Sequence, residues 1–520
     1  MSEAPALGVV FPVEGDGRST SATGRAVIAD ALEVVDPVGA RAARDEANWR
    51  TGYPLHFRRL VEAGLGTTAD AVGIADGGLT SVHSRMRWSR PEGTEVALGE
   101  ALSGDLRPLE TDRLAGSGEP EAAFSLPYRG ARLSGDAAVA QVHDWVSRGI
   151  IEPSCGDAVE QVIAHPEWLD LSDFTFVVLG AAAEMGPLRA LLRWGAEVVA
   201  VDLARPDLWR GLLSDTRRFG GTLRIPVAAG SAPVEERAGV DLVTEWPSLS
   251  AWLVEQPGTL VLGNYVYADG ADNVRVSVAV DALSMNLRAQ RPDTALAFLA
   301  TPTDVFAVPP ADVERATAAY ANARVSKALR GPLRGLSGGR LLSRNYAPQA
   351  NPGIADAIVP QQGPNYLLAK RIQRWRATTA RAEGATVSMT VAPPTRTRSV
   401  VKNRALAAAY AGAHRCGIEV FDPATANTLM AAVLVHDLRT GTKTLGHPWL
   451  DEAHQAAHGG LWTAAYSARS ALGLAAVLGL GSLWYMILEP EIAFVLQAAA
   501  FGGLGKLLWM KPFRDKLYAP

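Results

Sequence analysis

The sequence predicts an α/β protein with a doubly wound parallel sheet, because strand composition, strand spacing and the turn after the first strand all favour it. Six short runs are apolar and rich in β-branched residues, and helical stretches separate them. Continuous apolar strands with intervening helices indicate a parallel sheet covered on both faces. The predicted strands are FTFVVLG (174–180), AEVVAVDL (196–203), TLRIPVAAG (222–230), GTLVLGNYVY (258–267), TALAFLAT (294–301) and ATVSMTVAPP (385–394).

The composition is that of an ordinary folded protein and excludes several classes. A chain of 520 residues, 48% apolar and 20% charged, can form two or three domains with a sizeable core. A net charge of −4 provides no basic field, so we expect no nucleic-acid partner. Cys155 and Cys416 are far apart, which excludes a disulfide framework and a cysteine zinc site. The first residues lack the pattern of a signal peptide, which predicts a cytoplasmic setting.

Composition and pattern divide the chain into three predicted regions. Residues 1–170 form an N-terminal extension in which no motif indicates a chemistry. Residues 171–430 form the sheet domain, with an insertion rich in glycine and proline at about 304–364. Residues 431–520 form a C-terminal helical region. His447, His454 and His458 lie in that region, but the glutamate of a zinc-binding HExxH helix is missing, so we predict no metal site.

Two apolar segments near the C-terminal end predict membrane association. ALGLAAVLGLGSLWYMIL (471–488) and IAFVLQAAAFGGLGKLLWM (492–510) are close to the length that a transmembrane helix needs. Basic residues flank this hairpin at both ends, as expected if both ends face the cytoplasm. The alternatives are a helix that lies in the membrane interface and a pair of buried helices packed on the globular body.

The turn after the first strand resembles a dinucleotide-binding turn. Gly180 and Gly186 permit a tight turn, and the backbone from Gly180 and Ala181 to Met185 and Gly186 can approach a pyrophosphate. Asp202 ends the second strand, where a carboxylate can bind both ribose hydroxyls. These features favour NAD, with NADP as an alternative because Arg205 follows closely. An ordinary strand–turn–helix explains the same residues without a cofactor.

From these elements the chain resembles the short-chain dehydrogenase/reductase superfamily over about residues 172–400, which implies a Rossmann-like fold. The family's Gly-x3-Gly-x-Gly turn is altered here, because Glu184 replaces the middle glycine. Four further segments match the family's pattern in part, in the same order along the chain. They are Gly263-Asn264 at the fourth strand, Asn286-Leu287 in the next helix, Thr301 and Thr303 in place of the family's serine, and Pro393-Pro394-Thr395 at the end of the sixth strand.

Tyr366 and Lys370 in NYLLAKRIQRW match the family's Tyr-x3-Lys pair. Residues i and i+4 share one helix face, and a nearby ammonium lowers the pKa of a phenol. The resemblance implies that Tyr366 transfers the proton, a threonine holds the substrate oxygen, Lys370 also binds the cofactor ribose, and Asn286 helps to hold a water. Tyr320-x3-Arg324 is a rival pair that needs no long insertion.

These observations predict a membrane-associated, NAD(P)-dependent oxidoreductase that acts on a carbonyl/alcohol pair. The expected substrate is an apolar, lipid-like small molecule, an expectation that rests only on the C-terminal hairpin. Two alternatives are an epimerase or dehydratase that retains its NAD, and a non-catalytic dinucleotide-binding or scaffold protein. A homo-oligomer is compatible with each of the three.

Overall fold

A seven-stranded, mostly parallel sheet is the centre of the computed structural model, and each predicted apolar run contains one of its strands. The structure describes residues 6–475 apart from 16, 324–330, 336, 340, 403, 442–443, 472 and 474. The strands are β1 (Gly8–Val10), β2 (Val13–Glu14), β3 (Gly17–Arg18), β4 (Arg87–Ser89), β5 (Glu95–Ala97), β6 (Glu110–Ala115), β7 (Ser125–Tyr128), β8 (Ala131–Ser134), β9 (Phe174–Leu179), β10 (Glu197–Val201), β11 (Thr222–Val227), β12 (Thr259–Asn264), β13 (Ala295–Ala300), β14 (Val305–Val308), β15 (Gly353–Asp356) and β16 (Val387–Val391).

The helices begin at the signals that the sequence offers for helix starts. Asp241, for example, caps one helix by accepting the Val243 N–H at 2.9 Å, and several helices carry proline in their first turn. The α-helices are α1 (Thr20–Leu32), α2 (Pro37–Arg44), α3 (Trp49–Ala63), α4 (Thr68–Arg85), α5 (Asp136–Ser147), α6 (Pro153–Ala164), α7 (Leu188–Arg193), α8 (Pro206–Thr216), α9 (Val234–Arg237), α10 (Leu242–Val254), α11 (Gly270–Gln290), α12 (Pro310–Asn322), α13 (Gly363–Ala382), α14 (Arg398–Lys402), α15 (Arg404–Gly412), α16 (Pro423–Thr440) and α17 (Pro448–Ala453).

Across the sheet the strands lie in the order β16-β13-β12-β9-β10-β11-β6. All neighbouring pairs are parallel except β11 and β6, which are antiparallel. The chain leaves β9 towards one edge of the sheet and later returns to place β12 on the other side of β9. In open α/β sheets the carboxyl ends of such a strand pair form the crevice where ligands bind. Strand β6 comes from residues 110–115, so the predicted N-terminal extension contributes to the sheet.

Helices cover both faces of the sheet, which explains why its strands are apolar on both sides. In β9, Val177 and Leu179 belong to one buried cluster, whereas Phe176 and Val178 belong to the other. The first cluster contains α11 and α13, with α1, α3 and α4 of the N-terminal region packed outside them; the second contains α7, α8 and α16. The prediction of an α/β protein with a largely parallel sheet is confirmed.

A buried ion network fastens α13 to the loop that follows β13. Asp304 is fully buried and accepts hydrogen bonds from Arg371 at 3.0 Å and Arg374 at 2.7 Å, while Arg374 also binds Glu452 through two hydrogen bonds. Burial raises the pKa of Asp304, but the two guanidiniums outweigh that effect and lower the pKa overall. We call Asp304, Arg371, Arg374 and Glu452 the buried ion network.

A second buried carboxylate ties the N-terminal helices to the same helix α13. Asp281 of α11 accepts two hydrogen bonds from Arg376, at 2.7 and 2.9 Å, and one from His83 of α4 at 2.6 Å. Burial would raise the pKa of Asp281, but Arg376 and His83 lower it to about 2. Gly78 of α4 lies directly against the Trp375 ring of α13, where any side chain would collide with the indole. Helix α13 is therefore held on two sides.

The predicted transmembrane helix requires correction. No helix in the described part of the chain combines the length and the apolar character that crossing a bilayer requires. Of the predicted hairpin, 471–510, only residues 471, 473 and 475 belong to the described residues. The expectation of an apolar, lipid-like substrate rested on that hairpin, and none of the described residues adds to it.

Asp304→Asn should destabilise the protein by about 3 kcal/mol or more, because removing one partner leaves buried guanidinium charge uncompensated. Urea titration followed by circular dichroism measures this loss. Asp207→Asn is the matched control, because Asp207 pairs with Arg210 at an exposed site and should contribute less than about 1 kcal/mol. Equal stability of the two variants would contradict the central role of Asp304.

Candidate functional site

A group of hydroxyls meets at the carboxyl edge of the sheet. Thr301 and Thr303 follow β13 directly, and their Oγ1 atoms lie 2.9 Å apart. The Thr303 hydroxyl donates to Gln362 Oε1 at 2.9 Å, just before α13 begins. Tyr366, in the first turn of α13, lies close enough to these same side chains for them to lower the pKa of its phenol. We call Thr301, Thr303, Gln362 and Tyr366 the tyrosine site; its two ends come from segments that are far apart in sequence.

The electrostatics of Tyr366 differ from the sequence prediction. Burial raises the pKa of the Tyr366 phenol, the Thr301 hydrogen bond lowers it, and the nearby Asp304 carboxylate raises it again. The net pKa lies above the ordinary value, whereas the sequence predicts a phenol made more acidic by Lys370. Tyr366 is therefore a protonated hydrogen-bond donor at neutral pH, and its side chain is only half-buried, so a ligand can reach it.

Lys370 follows Tyr366 by one helical turn, as predicted, but its ammonium forms its hydrogen bond with a residue other than Tyr366. Lys370 Nζ donates to Gln373 Oε1 at 3.2 Å. Loss of hydration lowers the Lys370 pKa to about 8. A lysine with this pKa exchanges protons near neutral pH, which an ordinary lysine does not.

Two more tyrosines surround Tyr366. The Tyr267 ring meets the Tyr366 ring edge-on, with centroids 6.2 Å apart. Burial raises the pKa of Tyr410, and interaction with Tyr366 raises it further. The sequence pattern offered no signal for either tyrosine, because Tyr267 follows a strand as part of an apolar run and Tyr410 lies in a small alanine-rich helix.

Asn286 does not reach the tyrosine site. It is the seventeenth residue of α11, which puts it about 24 Å along a helix that begins near the carboxyl edge. Its Oδ1 accepts hydrogen bonds from Ser250 and Gln290, each at 2.8 Å. Asn273 and Ser277, in the first two turns of α11, are the buried polar residues at the near end. The i, i+4 spacing of these two polar residues is the signal in the sequence that could have located them.

The glycines of the predicted cofactor turn surround a tyrosine ring. A Cβ on Gly263 would overlap the Tyr265 ring, a Cβ on Gly180 would lie 3.0 Å from the Tyr265 carbonyl oxygen, and one on Gly186 would lie 3.6 Å from Tyr265 Cβ. Tyr265 is 9% exposed and belongs to a hydrophobic core. The absence of a side chain at Gly263 is therefore needed by the Tyr265 ring, and Gly180 lies against the Tyr265 backbone, whereas Gly186 makes only ordinary van der Waals contact with Tyr265.

Five of the seven backbone N–H groups from residue 180 to residue 186 donate to acceptors of the protein itself. Gly180 and Ala181 both donate to the Val201 carbonyl, at 2.9 and 3.0 Å. Ala182 N–H donates to Asp202 Oδ2 at 2.8 Å, and Leu203 N–H donates to the other Asp202 oxygen at 2.8 Å. Ala183 and Gly186 N–H groups donate within the turn, whereas Met185 packs its side chain on the core.

Glu184 and the segment after β16 close the turn from the other side. Glu184 Oε2 accepts the Arg398 N–H at 2.7 Å, and Arg398 Nε lies 3.4 Å from the other oxygen. Thr395 is buried and its hydroxyl donates to the Pro393 carbonyl at 2.8 Å. Asn264 is buried beneath the turn, where its Oδ1 accepts the Val266 N–H at 3.4 Å.

The residues of the first turn therefore do not fit a dinucleotide in this arrangement. A pyrophosphate needs free backbone N–H groups and close approach of a glycine backbone. The N–H groups of Gly180, Ala181, Ala182, Ala183 and Gly186 are all engaged inside the protein, and the glycines adjoin Tyr265. Asp202, the predicted ribose ligand, holds the turn closed instead.

A buried cluster of Glu152, Asp312 and His458 has the spacing of a metal site, because one ligand atom from each lies within 4.8 Å of the others. Its hydrogen bonds favour another explanation. Gly460 N–H donates to His458 Nδ1 at 3.1 Å, so the ring proton is on Nε2, which lies 3.0 Å from Glu152 Oε1. A protonated nitrogen cannot ligate a metal, and His454, one helical turn before His458 in the sequence, is not in the cluster.

Comparison of the chain with protein-family models, with curated proteins and with solved structures finds no match.

The Glu152–Asp312 pair should lower the unfolding stability by about 1.4 kcal/mol between pH 6 and pH 8, the change expected for one shared proton. Burial raises the pKa of both carboxyls to about 7, so the folded state binds a proton that the unfolded state has already released. Stability from this proton is complete at low pH and is lost as the pH rises through 7. Burial lowers the His458 pKa to about 4, so His458 acts in the opposite direction and raises the stability by about 0.8 kcal/mol over the same range. Urea titration of the wild type and of a variant without the pair separates the two contributions.

Asp312→Asn should remove the fall due to the pair and leave the rise due to His458, because the amide cannot share a titrating proton, whereas Asp207→Asn should keep the wild-type profile. Identical pH profiles of Asp312→Asn and the wild type would show that the pair does not hold a proton.

NAD+, NADH, NADP+ and NADPH should each fail to bind the purified protein with micromolar affinity, because the first turn is closed. Calorimetry with each nucleotide measures this directly. Asp202→Ala is the companion variant. If the wild type binds one of these nucleotides with micromolar affinity and Asp202→Ala weakens that binding, the dinucleotide site predicted from the sequence is present after all.

Proposed function

We propose that the protein is an enzyme whose acid–base residue is Tyr366 and whose substrate carries a carbonyl or hydroxyl oxygen. The observation that carries the proposal is the meeting of the Tyr366, Thr301 and Thr303 side chains at the carboxyl edge of the sheet. Ligands of open α/β sheets bind at this edge. A half-buried phenol beside two threonine hydroxyls is suited to bind a polarised oxygen.

The raised pKa of Tyr366 supports a donor role for its phenol. Thr303 donates to Gln362 Oε1 at 2.9 Å, and its hydroxyl lies 2.9 Å from the Thr301 hydroxyl. Burial and Asp304 raise the phenol pKa more than the polar neighbours of the site lower it. The phenol proton therefore stays in place at neutral pH and can pass to a substrate oxygen.

The chemistry that follows is stabilisation of negative charge on the substrate oxygen. A preorganised donor in a partly desolvated site stabilises such charge more in the transition state than in the ground state. Tyr366 donates a hydrogen bond, and then the proton, to the oxygen as charge develops. Lys370, with a pKa of about 8, lies one turn further along the same helix and donates to Gln373, so we assign the return of the proton to solvent.

An NAD(P)-dependent oxidoreductase of the short-chain dehydrogenase type is the second candidate function. The order of the parallel strands favours it, because it matches the 3-2-1-4-5-6 order of dinucleotide-binding sheets when counted from β9. The closed first turn opposes it, so we assign no hydride step to these residues. An epimerase or dehydratase that retains NAD would need the same cofactor site.

Tyr366→Phe should lower kcat by about 100-fold or more on any substrate that the wild type turns over, because it removes the proton donor and keeps the ring. A panel of aldehydes, ketones and alcohols is assayed in two ways. Absorbance at 340 nm detects hydride transfer with added nucleotides, and deuterium uptake next to the carbonyl detects proton transfer without them.

Tyr320→Phe is the matched control, because Tyr320 belongs to the rival sequence pair and packs against Tyr466 and Arg344 instead. It should retain the wild-type kcat. Equal activity of wild type and Tyr366→Phe on the same substrate would contradict the proposal. Hydride transfer that depends on Tyr366 would establish the second candidate, and the absence of any turnover would favour the non-catalytic alternative.

A further inference from the structure

An open cavity of about 570 Å³ lies between the N-terminal region and the segment between β16 and α16. Cavities of this size hold drug-sized ligands. Part of its wall is apolar, including Ile150, Ile418 and Phe421, and part is cationic, including Arg129, Arg148 and Arg396. Tyr410, which interacts electrostatically with Tyr366, also lines it.

Arg129 occupies a position that is unfavourable for arginine. It forms, with Gly130, the two-residue turn between β7 and β8, and its φ is +48°. A turn with positive φ at both central residues favours asparagine followed by glycine. Residues in such strained conformations concentrate at ligand-binding sites. Here the conformation puts the guanidinium over the Tyr128 ring, 4.9 Å from the centroid, at the wall of the cavity.

The charges on the first wall are only partly balanced. Arg148 binds Glu419 at 2.6 Å and Asp144 at 2.7 Å, and Glu419 also accepts hydrogen bonds from Tyr128 and Trp145. The nearest approach of Arg129 to Glu419 is 3.9 Å, at the limit of an ion pair. Glu419 is therefore engaged mainly by Arg148, and Arg129 keeps most of its charge for a ligand.

Arg396 also lines the cavity, and it forms no ion pair with any residue that the structure describes. The exposed carboxylate of Asp422 provides a negative charge near Arg129 and Arg396, and its side chain does not cap α16. Arg129 and Arg396 together therefore exceed Asp422 by one positive charge.

We propose that this cavity binds an organic carboxylate, with Arg129 and Arg396 holding the carboxylate group and the apolar wall holding the carbon skeleton. One surplus positive charge matches a monoanion, and guanidinium forks bind carboxylates through paired hydrogen bonds. The N-terminal end of α16, an 18-residue helix, opens on the cavity at Asp422 and Thr425 and adds a favourable dipole. The inference does not rest on the reaction proposed for Tyr366, because binding is measured directly.

The test is calorimetry of the full-length protein with 4-phenylbutyrate, beside neutral 4-phenylbutanol and dianionic phenyl phosphate. We expect 4-phenylbutyrate to bind at least tenfold more tightly than either. Arg129→Asn and Arg396→Gln should each weaken its binding about tenfold, the usual effect of losing one charge-assisted hydrogen-bonding group. Arg398→Gln is the matched control, since Arg398 is exposed two residues beyond Arg396 and does not line the cavity.

Arg129→Asn separates binding from folding. Asparagine followed by glycine suits the turn, so the melting temperature of this variant should equal or exceed that of the wild type while binding is lost. The proposal is overturned if 4-phenylbutyrate gives no binding heat, if Arg129→Asn and Arg396→Gln bind it as the wild type does, or if 4-phenylbutanol or phenyl phosphate binds equally well.

Discussion

Asp304 is the residue on which the arrangement of the carboxyl edge depends. It lies fully buried between Arg371 and Arg374, immediately after the threonines that follow β13. Two buried guanidiniums on α13 and one buried carboxylate on the loop cannot separate without leaving charge unpaired in a low-dielectric interior. The register between loop and helix is therefore fixed, and with it the position of Thr301 and Thr303 beside Tyr366. Burial raises the pKa of that phenol most, and the Asp304 carboxylate raises it further, so Asp304 contributes to both the geometry and the protonation of the tyrosine site.

The two halves of the ligand-binding edge have different characters. On the side of β12 and β13, the half-buried side chains of Thr301 and Tyr366 lie beside the buried Thr303. On the side of β9 and β10, Tyr265 adjoins the glycines of the first turn and Asp202 holds its backbone closed. The sheet therefore has the strand order of dinucleotide-binding proteins, but most backbone N–H groups of the turn after β9 are hydrogen-bonded within the protein. Acid–base chemistry at Tyr366 needs only the first half, which is why it is the function that the geometry supports best.

Sequence reasoning located the sheet and the Tyr366 helix because both depend on local composition and on a short spacing. The pairing of Thr301 and Thr303 with Tyr366 across a long insertion came from the resemblance to short-chain dehydrogenases, in which a serine after the fifth strand meets the tyrosine. Sequence reasoning could not anticipate Tyr265, because nothing in a glycine pattern tells whether a phosphate or a neighbouring ring fills the space. Three further features arise from contacts between segments that are distant in the chain. They are the distance of Asn286 from the tyrosine site, the hydrogen bond between His458 and Glu152, and the pairing of residues 110–115 with the sheet. The direction of the Tyr366 pKa was missed for the same reason, because Asp304 and burial act on it through the tertiary fold.

The protonation state of Tyr366 is the most direct test of its role as a proton donor. The protein is labelled with tyrosine carrying ¹³C at Cζ, the Tyr366 resonance is assigned by its loss in Tyr366→Phe, and its chemical shift is followed with pH. We expect this resonance to keep its protonated shift past about pH 10, the ordinary pKa of tyrosine. Ionisation of Tyr366 near neutral pH would contradict the donor role, because the phenol would then be a base activated by Lys370 and not a donor held by the threonines.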